Sequence, residues 1–240
     1  MAERLKAHAW KACKRVTVSW VRIPPYPFSV TLPVDLQLAE RHLAASDPKL
    51  AALIARVGPC RLQVEGLASP FAALVEAIVY QQLTGKAAQT IHGRLVGLFP
   101  QRRVSPQRLL ATHPRRLRSA GLSRAKVLAL KDLAAKTLEK VVPPLRILRA
   151  MPDEEIIARL TAVRGVGRWT AEMLLIFRLG RPDVWPVTDY GVRKGYARVF
   201  SRGRLPSPKL LDQRGERWRP YRTVAAWYLW RAAETPGGRA

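Results

Sequence analysis

Acidic residues and cysteines are scarce in this chain of 240 residues. It has 17 Asp and Glu against 42 Lys and Arg, which gives a formal net charge of +25. Its two cysteines, Cys13 and Cys60, are too few for a disulfide framework, a four-thiolate iron–sulfur cluster or a multi-cysteine zinc site. The four histidines occur singly, so no side-chain metal site is expected. This cysteine usage is typical of a reducing cytoplasm.

Long apolar segments are also missing. No run reaches the roughly 18 to 20 apolar residues that span a bilayer, and no basic amphipathic segment with a Trp- or Phe-rich face indicates a membrane surface. Residues 1–15 lack the apolar core of a secretory signal, although they do not exclude a basic transit peptide. Because 48% of the residues are apolar and 25% are charged, we expect a folded globular chain.

The positive charge is concentrated in one part of the chain. Residues 101–149 contain thirteen Lys or Arg and two acids, Asp132 and Glu139, for a local net charge of +11. One interpretation is an ordinary solvated helical surface in a proteome that prefers arginine. That preference exchanges Lys for Arg but does not remove acids, so we favour a polyanionic partner and predict binding to DNA or RNA.

Helical patterning predicts a mainly α fold of roughly ten helices. Ser69 and Pro70 are typical of an N-cap and a first helical position. An apolar stripe at helical spacing follows them, formed by Phe71, Leu74, Val75, Ile78 and Val79. Further caps are predicted at Thr84, Ser105 and Ser123. A strand is predicted only at Arg15–Ile23, where apolar residues alternate, and no β-hairpin is expected.

A glycine turn joins two predicted helices at Val163–Arg168. Gly165 and Gly167 permit positive φ and a close approach of the backbone to a ligand. The turn and the first turn of the following helix carry N–H groups without helical partners, which can bind a phosphate without reading sequence. Gly-x-Gly alone is weak evidence, but its position before a buried helix on a very basic chain favours DNA binding.

The stretch Val187–Arg193 contains a single acid, Asp189. It lies 189 − 167 = 22 residues after Gly167. A carboxylate at this point can cap the next helix or take part in chemistry. From these residues alone, helix capping is the favoured interpretation.

Four ordered blocks of sequence then occur at characteristic spacings: Ala77–Thr84, Arg164–Ala171, Pro186–Tyr190 and Trp218–Trp230. Together they resemble the helix-hairpin-helix-GPD superfamily of DNA glycosylases, in its 3-methyladenine DNA glycosylase II branch. The resemblance implies two helical subdomains with an active-site cleft between them. It assigns 70–181 to one subdomain, which ends in the helix-hairpin-helix, and 46–69 with 182–235 to the other. Residues 1–45 are expected to form a basic arm with a strand.

The resemblance also implies roles for individual residues. Asp189 is the implied catalytic carboxylate, which stabilises positive charge on the sugar or orients a water molecule. The implied substrate pocket contains Trp169, Met173, Tyr190 and Trp230. The implied DNA contacts are Gln82, which fills the gap left by a flipped base, with Leu83 as an alternative, and the hairpin residues Arg164, Gly165, Val166, Gly167, Arg168 and Thr170. The carbonyl groups of Thr161, Val163 and Val166 are the implied ligands of a structural Na⁺ or K⁺ ion.

The implied activity is that of a monofunctional DNA glycosylase that hydrolyses the N-glycosidic bond of alkylated purines and requires no cofactor. Bifunctional relatives carry a lysine nucleophile at the position of Trp169, and an indole cannot form a Schiff base. Two alternatives remain: a bifunctional glycosylase/AP lyase, and a non-catalytic helix-hairpin-helix protein that binds damaged DNA.

The expected partner is double-stranded DNA that contains alkylated bases such as 3-methyladenine or 7-methylguanine. Aromatic faces attract the positively charged rings of these bases. A cytoplasmic, nucleoid-associated monomer without a membrane partner is expected. The chain departs from the branch in three ways: Met173 replaces a pocket tyrosine, Thr188 replaces an acid beside Asp189, and a sheet-containing first domain is mostly missing. These departures leave the range of lesions open.

Overall fold

The computed structural model describes residues 29–30, 32, 34–67 and 69–234, and the chain is mainly α-helical, as predicted. The described residues form thirteen α-helices, two 3-10 turns and two strands of two residues each. Of the predicted arm at 1–45, residues 1–28, which include the predicted strand Arg15–Ile23, lie outside them, whereas residues 36–45 belong to a helix. Within this part of the chain, no helix has the length and apolar character that crossing a bilayer requires.

The helices follow one another with short connections. They are α1 (Leu36–Ser46), α2 (Pro48–Val57), α3 (Pro70–Tyr80), α4 (Gly85–Gly97), α5 (Pro106–Ala111), α6 (Pro114–Ser119), α7 (Arg124–Leu138), α8 (Leu145–Ala150), α9 (Asp153–Thr161), α10 (Arg168–Phe177), α11 (Tyr190–Phe200), α12 (Pro208–Gly215) and α13 (Arg222–Glu234). The 3-10 turns are Pro100–Arg102 and Glu216–Trp218.

Two very short strands form the sheet. β1 (Ser29–Val30) pairs antiparallel with β2 (Val64–Glu65), with Ser29 opposite Glu65 and Val30 opposite Val64. Sequence patterning does not reveal this pair, because two residues cannot display an alternating pattern and because α1 and α2 separate the strands along the chain.

Serine hydroxyl groups begin three of the helices as predicted. Ser69, Ser105 and Ser123 each accept a hydrogen bond from the backbone N–H three residues further on. Thr84 is the N-cap residue of α4, as predicted, but its side chain makes no capping hydrogen bond. Its backbone carbonyl accepts the Ala88 N–H instead, so the main chain alone begins α4.

Residues Leu67–Ala171 form one compact unit, built around α3 and α7. The stripe predicted on α3 is buried, and Leu74 and Ile78 are completely inaccessible to solvent. Leu130 and Leu133 on α7 are equally inaccessible. Full burial of an aliphatic side chain stabilises a fold by about 1.5–3 kcal/mol, so this pairing of helices is a main source of the unit's stability.

Residues 29–66 and 172–234 form a second compact unit, in which α11 packs on α13. Gly195 allows the close approach of these helices, because a Cβ atom there would overlap the Leu229 carbonyl. The division at Ala171 lies ten residues before the predicted boundary at 181. Phe177 stacks on Trp230 within the second unit, which explains why the end of α10 belongs to it.

Candidate functional site

Asp189 is the N-cap residue of α11 and is almost fully buried. Its Oδ1 accepts a hydrogen bond of 2.7 Å from the Val192 N–H. The capping role that the residues alone favoured is therefore present. The cap places the carboxylate at the positive end of the α11 dipole, where a negative charge is favoured.

Trp230 supplies a second hydrogen bond to the same carboxylate. Its indole Nε1–H donates to Oδ1 of Asp189 at 2.8 Å, and its ring stacks on Phe177 with a centroid distance of 5.6 Å and an interplanar angle of 25°. Two donors on separate helices fix the orientation of a carboxylate better than the cap alone. Trp230 therefore positions Asp189, a role that the sequence did not indicate.

A partly buried ion pair holds the segment that leads to Asp189. The Arg222 guanidinium donates to both carboxylate oxygens of Asp183, at 2.8 and 2.9 Å. The hydroxyl group of Thr223 accepts the Val184 N–H at 2.9 Å and donates to the Arg181 carbonyl at 2.7 Å. These contacts join the start of α13 to residues 181–184. Sequence reasoning missed them, and no periodicity or motif identifies them.

The other predicted pocket residues divide between the two units. Met173, Tyr190 and Trp230 belong to the unit of Asp189, whereas Trp169 belongs to the unit of Leu67–Ala171. Met173, Trp169 and Tyr190 are all half-buried. Trp218, by contrast, is 1% exposed and packs edge-on against Trp185, so it is a core residue.

The hairpin at Val163–Arg168 presents polar and glycine positions to solvent. Val163 and Val166 are buried, while the residues between and after them are exposed. Gly165 adopts φ +79°, which requires glycine or costs strain. Gly167 does not use the positive φ that its lack of a side chain permits. The turn needs only one left-handed residue, because Val166 N–H already closes it on the Val163 carbonyl at 3.0 Å.

The predicted DNA contacts at the start of α10 are partly engaged within the protein. The Arg168 guanidinium forms a salt bridge with Glu154 on α9. Thr170 lies half-buried in the first helical turn, whereas Arg164 and Gly167 are exposed. The exposed backbone of the hairpin is therefore the more accessible candidate for a phosphate contact than the Arg168 side chain.

Asp132 and Lys136 on α7 brace the hairpin. Asp132 Oδ2 accepts the Arg164 N–H at 2.6 Å, and Lys136 Nζ pairs with Asp132 at 2.8 Å and donates to the Ala162 carbonyl. Burial by itself raises the pKa of Asp132, but the hydrogen bonds from Arg164 N–H and Lys136, together with the charges of both residues, outweigh it and lower the pKa. The sequence held one signal of this role, since Asp132 is an isolated acid in a basic stretch.

The turn after α3 carries Gln82 and Leu83. Gln82 is exposed and has φ +60°, whereas Leu83 is half-buried. Lys126 on α7 donates to the carbonyl groups of Val79, at 2.6 Å, and Gln81, at 2.9 Å. Burial lowers the pKa of Lys126.

The same turn is tied directly to the hairpin. The Gln81 side-chain amide donates to the Gly165 carbonyl at 2.9 Å, across 84 positions of sequence. α7 therefore holds two exposed turns at once, through Lys126 at one end and through Asp132 and Lys136 further along. Among the described residues, no group of three or more His, Cys, Asp or Glu side chains could hold a metal ion.

Comparisons with known proteins agree with this arrangement. The model of the HhH-GPD superfamily of base excision DNA repair proteins matches residues 75–220. DNA-3-methyladenine glycosylase 1 of Schizosaccharomyces pombe is 35% identical over 208 residues, which cover 83% of this chain and 89% of that protein.

Two solved structures are also similar. A 3-methyladenine DNA glycosylase from Schizosaccharomyces pombe in complex with abasic DNA has a TM-score of 0.71 and 34% identity, covering 81% of this chain and 95% of that one. A DNA-3-methyladenine glycosidase from Bacillus halodurans has a TM-score of 0.74 and 34% identity, covering 87% and 92%. Family model, sequence relatives and solved structures all agree, and the chain belongs to the HhH-GPD superfamily of base excision DNA repair proteins.

Proposed function

We propose that this chain is a DNA glycosylase of base excision repair, which hydrolyses the N-glycosidic bond of a damaged base. The observation that carries the proposal is the carboxylate of Asp189, held by the Val192 N–H and the Trp230 indole within a family of repair proteins. The relatives named as 3-methyladenine DNA glycosylases support it.

Asp189 acts on the charge that develops during the reaction. Breaking the C1′–N bond leaves an oxocarbenium-like sugar, whose positive charge a fixed carboxylate stabilises. The carboxylate also orients the water molecule that adds to C1′, so that the base leaves and the hydroxyl group takes its place. Because two donors already hold Asp189, little reorganisation is needed when the charge appears.

The enzyme leaves an intact abasic site. A lyase step needs an amine that attacks C1′ and forms a Schiff base, and the residue at the position of that amine in bifunctional relatives is Trp169. We therefore propose a monofunctional activity without strand cleavage.

Alkylated purines are the proposed substrates. A methyl group at N3 or N7 gives the purine ring a positive charge, which electron-rich aromatic side chains attract. Trp230, Tyr190 and Trp169 supply such rings, and Met173 adds a polarisable side chain. The names of the relatives support alkylated bases as substrates.

Double-stranded DNA is the proposed partner, and Gln82 is the residue proposed to fill the gap left by the flipped base. Its exposed side chain at the tip of a turn suits insertion into the gap that a flipped base leaves, whereas Leu83 is half-buried. The exposed N–H groups of the hairpin suit a phosphate.

A structural Na⁺ or K⁺ ion at the hairpin is a further part of the proposal. The carbonyl groups of Thr161, Val163 and Val166 are a neutral oxygen set that suits a monovalent cation. Val163 also accepts the Val166 N–H, and its second lone pair can serve an ion. The affinity for duplex DNA in NaCl or KCl should exceed that in choline chloride at equal ionic strength, and equal affinities would overturn this part.

The protein is proposed to act as a monomer in the cytoplasm, at the chromosome. The basic charge of +25 and the scarcity of cysteine support this setting. Sedimentation equilibrium should give a mass near 26.9 kDa. A dimer mass would contradict the monomer.

One experiment tests the activity as a whole. Methylated duplex DNA is incubated with the protein, and released bases are separated by chromatography, with a panel of 3-methyladenine, 7-methylguanine, hypoxanthine, ethenoadenine and 1-methyladenine substrates. Release of at least one base without strand nicking, and without a borohydride-trapped adduct, is expected. Tight binding of damaged DNA without release of any base would instead favour the non-catalytic alternative.

A further inference from the structure

One stretch of the unit Leu67–Ala171 contains no acidic residue. Residues 77–131 include eleven Lys or Arg and no Asp or Glu. Elsewhere in the same unit acids are present and pair with arginines, as Glu154 does with Arg168 and Glu155 with Arg159. The lack of acids is therefore a property of this region and not of the whole unit.

Three of the eleven Lys and Arg side chains form hydrogen bonds within the protein. Lys126, Lys131 and Arg116 donate to backbone carbonyl groups at the ends of neighbouring helices. The other eight are exposed, and none of the described residues 77–131 takes part in a salt bridge. Eight solvent-exposed charges of one sign repel one another unless a polyanion neutralises them.

Two of these cations line a groove. Arg115 and Arg118 lie three residues apart on α6, so they share one face of that helix. With Ser119 and residues 121–123 they border an open groove of about 560 Å³. Like charges at this spacing destabilise a helix, and α6 has only six residues. The pair is thus unfavourable for the fold by itself.

The first turn of α7 joins the groove to the turn that carries Gln82, because Ser123 on the border of the groove is the N-cap of α7. Gly121, on the border of the groove, packs against Ile91 of α4, since a Cβ atom there would lie 3.1 Å from the Ile91 side chain. Lys126 follows the groove by a few residues and bonds to the Gln81 carbonyl. A nucleic acid strand that meets Gln82 therefore passes close to the groove.

We propose that the groove bordered by Arg115 and Arg118 binds the phosphodiester backbone of the duplex into which Gln82 inserts. The proposal rests on the proposed function in taking duplex DNA as the partner and Gln82 as the residue that inserts into it. Guanidinium groups suit phosphates because their fork of N–H donors matches two oxygens. The groove holds the duplex beside the flipped nucleotide and does not read its sequence.

The salt dependence of DNA binding tests this surface. The affinity of the double variant Arg115→Gln/Arg118→Gln for a 20-base-pair duplex is measured between about 50 and 200 mM salt, because each phosphate contact contributes about −0.9 to the slope of log K against log salt. Loss of two contacts makes the slope shallower by about 1.8. The ratio of wild-type affinity to variant affinity therefore falls about twelvefold over this range of salt. Lysines at both positions keep the charge and should restore the slope.

A matched control variant removes two positive charges from another part of the protein. Arg202 and Arg204 are exposed and follow the C-terminal end of α11, at the far end of that helix from Asp189. Arg202→Gln/Arg204→Gln should leave the slope within experimental error of the wild type. Equal slopes for the groove variant and this control would overturn the proposal. Because the measurement uses binding to lesion-free DNA, a wild-type protein that releases no base would refute the glycosylase activity and leave this test intact.

Discussion

The indole N–H of Trp230 and the carboxylate of Asp189 form a hydrogen bond of 2.8 Å across 41 positions of sequence. The same oxygen, Oδ1, accepts the Val192 N–H. The orientation of the carboxylate therefore depends on α11, which it caps, and on α13, which carries the indole. Asp189→Asn removes the negative charge but keeps both hydrogen bonds, because an asparagine side-chain oxygen can accept both. The effects of the charge and of the hydrogen bonds can therefore be measured separately.

Asp189→Asn is expected to reduce base release by roughly 10²–10⁴-fold or more, since it removes the negative charge. Asparagine caps helices as well as aspartate does, so the free energy of unfolding should change little. Single-turnover base release, thermal unfolding and duplex affinity are measured together. Wild-type release by the asparagine variant would refute the catalytic role.

Asp189→Ala is the companion variant. It removes the cap, at a cost of about 1 kcal/mol, and leaves the buried indole N–H of Trp230 without an acceptor, at about 1–3 kcal/mol more. A clear loss of stability in the alanine variant but not in the asparagine variant would establish the structural part of the role.

Trp230→Phe should slow base release while the ring continues to pack on Phe177. The variant removes one hydrogen bond to a charged group, which is worth about 1.5–3 kcal/mol, so Asp189 loses part of its orientation. Trp227→Phe on the same helix is the control, because Trp227 is equally buried and packs edge-on against Tyr228. Equal rates for the two variants would contradict a specific role for the Trp230 indole.

The brace at Asp132 predicts a pH dependence of stability. Because the pKa of Asp132 is lowered in the folded state, its stabilisation is fully present above the ordinary value of 3.8 and is lost as the pH falls through the lower folded value. Asp132→Ala should cost about 1 kcal/mol near pH 7, a modest amount because the ion pair with Lys136 is partly exposed to solvent.

The difference in the free energy of unfolding between the wild type and Asp132→Ala should shrink below about pH 3.8. Urea unfolding at a series of pH values measures it. Asp132→Asn keeps an acceptor for the Arg164 N–H. Its free energy of unfolding should therefore lie between those of the wild type and Asp132→Ala. A difference that stays constant from pH 7 to pH 3 would contradict the brace.

Two substitutions of Gln82 distinguish its proposed insertion into DNA from the backbone strain of its turn. Gln82→Ala and Gln82→Gly should both slow base release about tenfold, because about 1.4 kcal/mol of compensation for the flipped base is lost. At φ +60°, the glycine variant should be more stable than the alanine variant by up to about 1 kcal/mol. Unchanged release in both variants would transfer the role to Leu83.

Cys60 should not react with thiol reagents in the folded protein. It is 6% exposed, and burial raises the pKa of its thiol to about 12, so almost no thiolate is present at neutral pH. In a Cys13→Ser background, Ellman's reagent at pH 8 should detect almost no thiol in the native protein and one after denaturation. Rapid native labelling would show that the segment around Cys60 opens readily.

Local patterns of the sequence were enough to predict the family and most of the helices, roughly ten against the thirteen of the described residues. The stripe from Phe71 to Val79 and the serine caps each act within one or two helical turns, so neighbouring residues decide them. The hairpin and the block around Asp189 are recognisable for the same reason, since each is a short contiguous segment. Residue type did not decide how a cap is bonded, as Thr84 shows, because the backbone alone can begin a helix.

Contacts between distant residues were decided only by the tertiary structure. The bonds of Trp230 to Asp189, of Gln81 to Gly165 and of Arg222 to Asp183 each join residues on separate segments. Which side chains meet depends on how helices cross and on how closely they approach, as Gly195 shows beside Leu229. The sequence alone thus determined which residues carry the charge and the turns, whereas packing between helices determined which partners hold them in place.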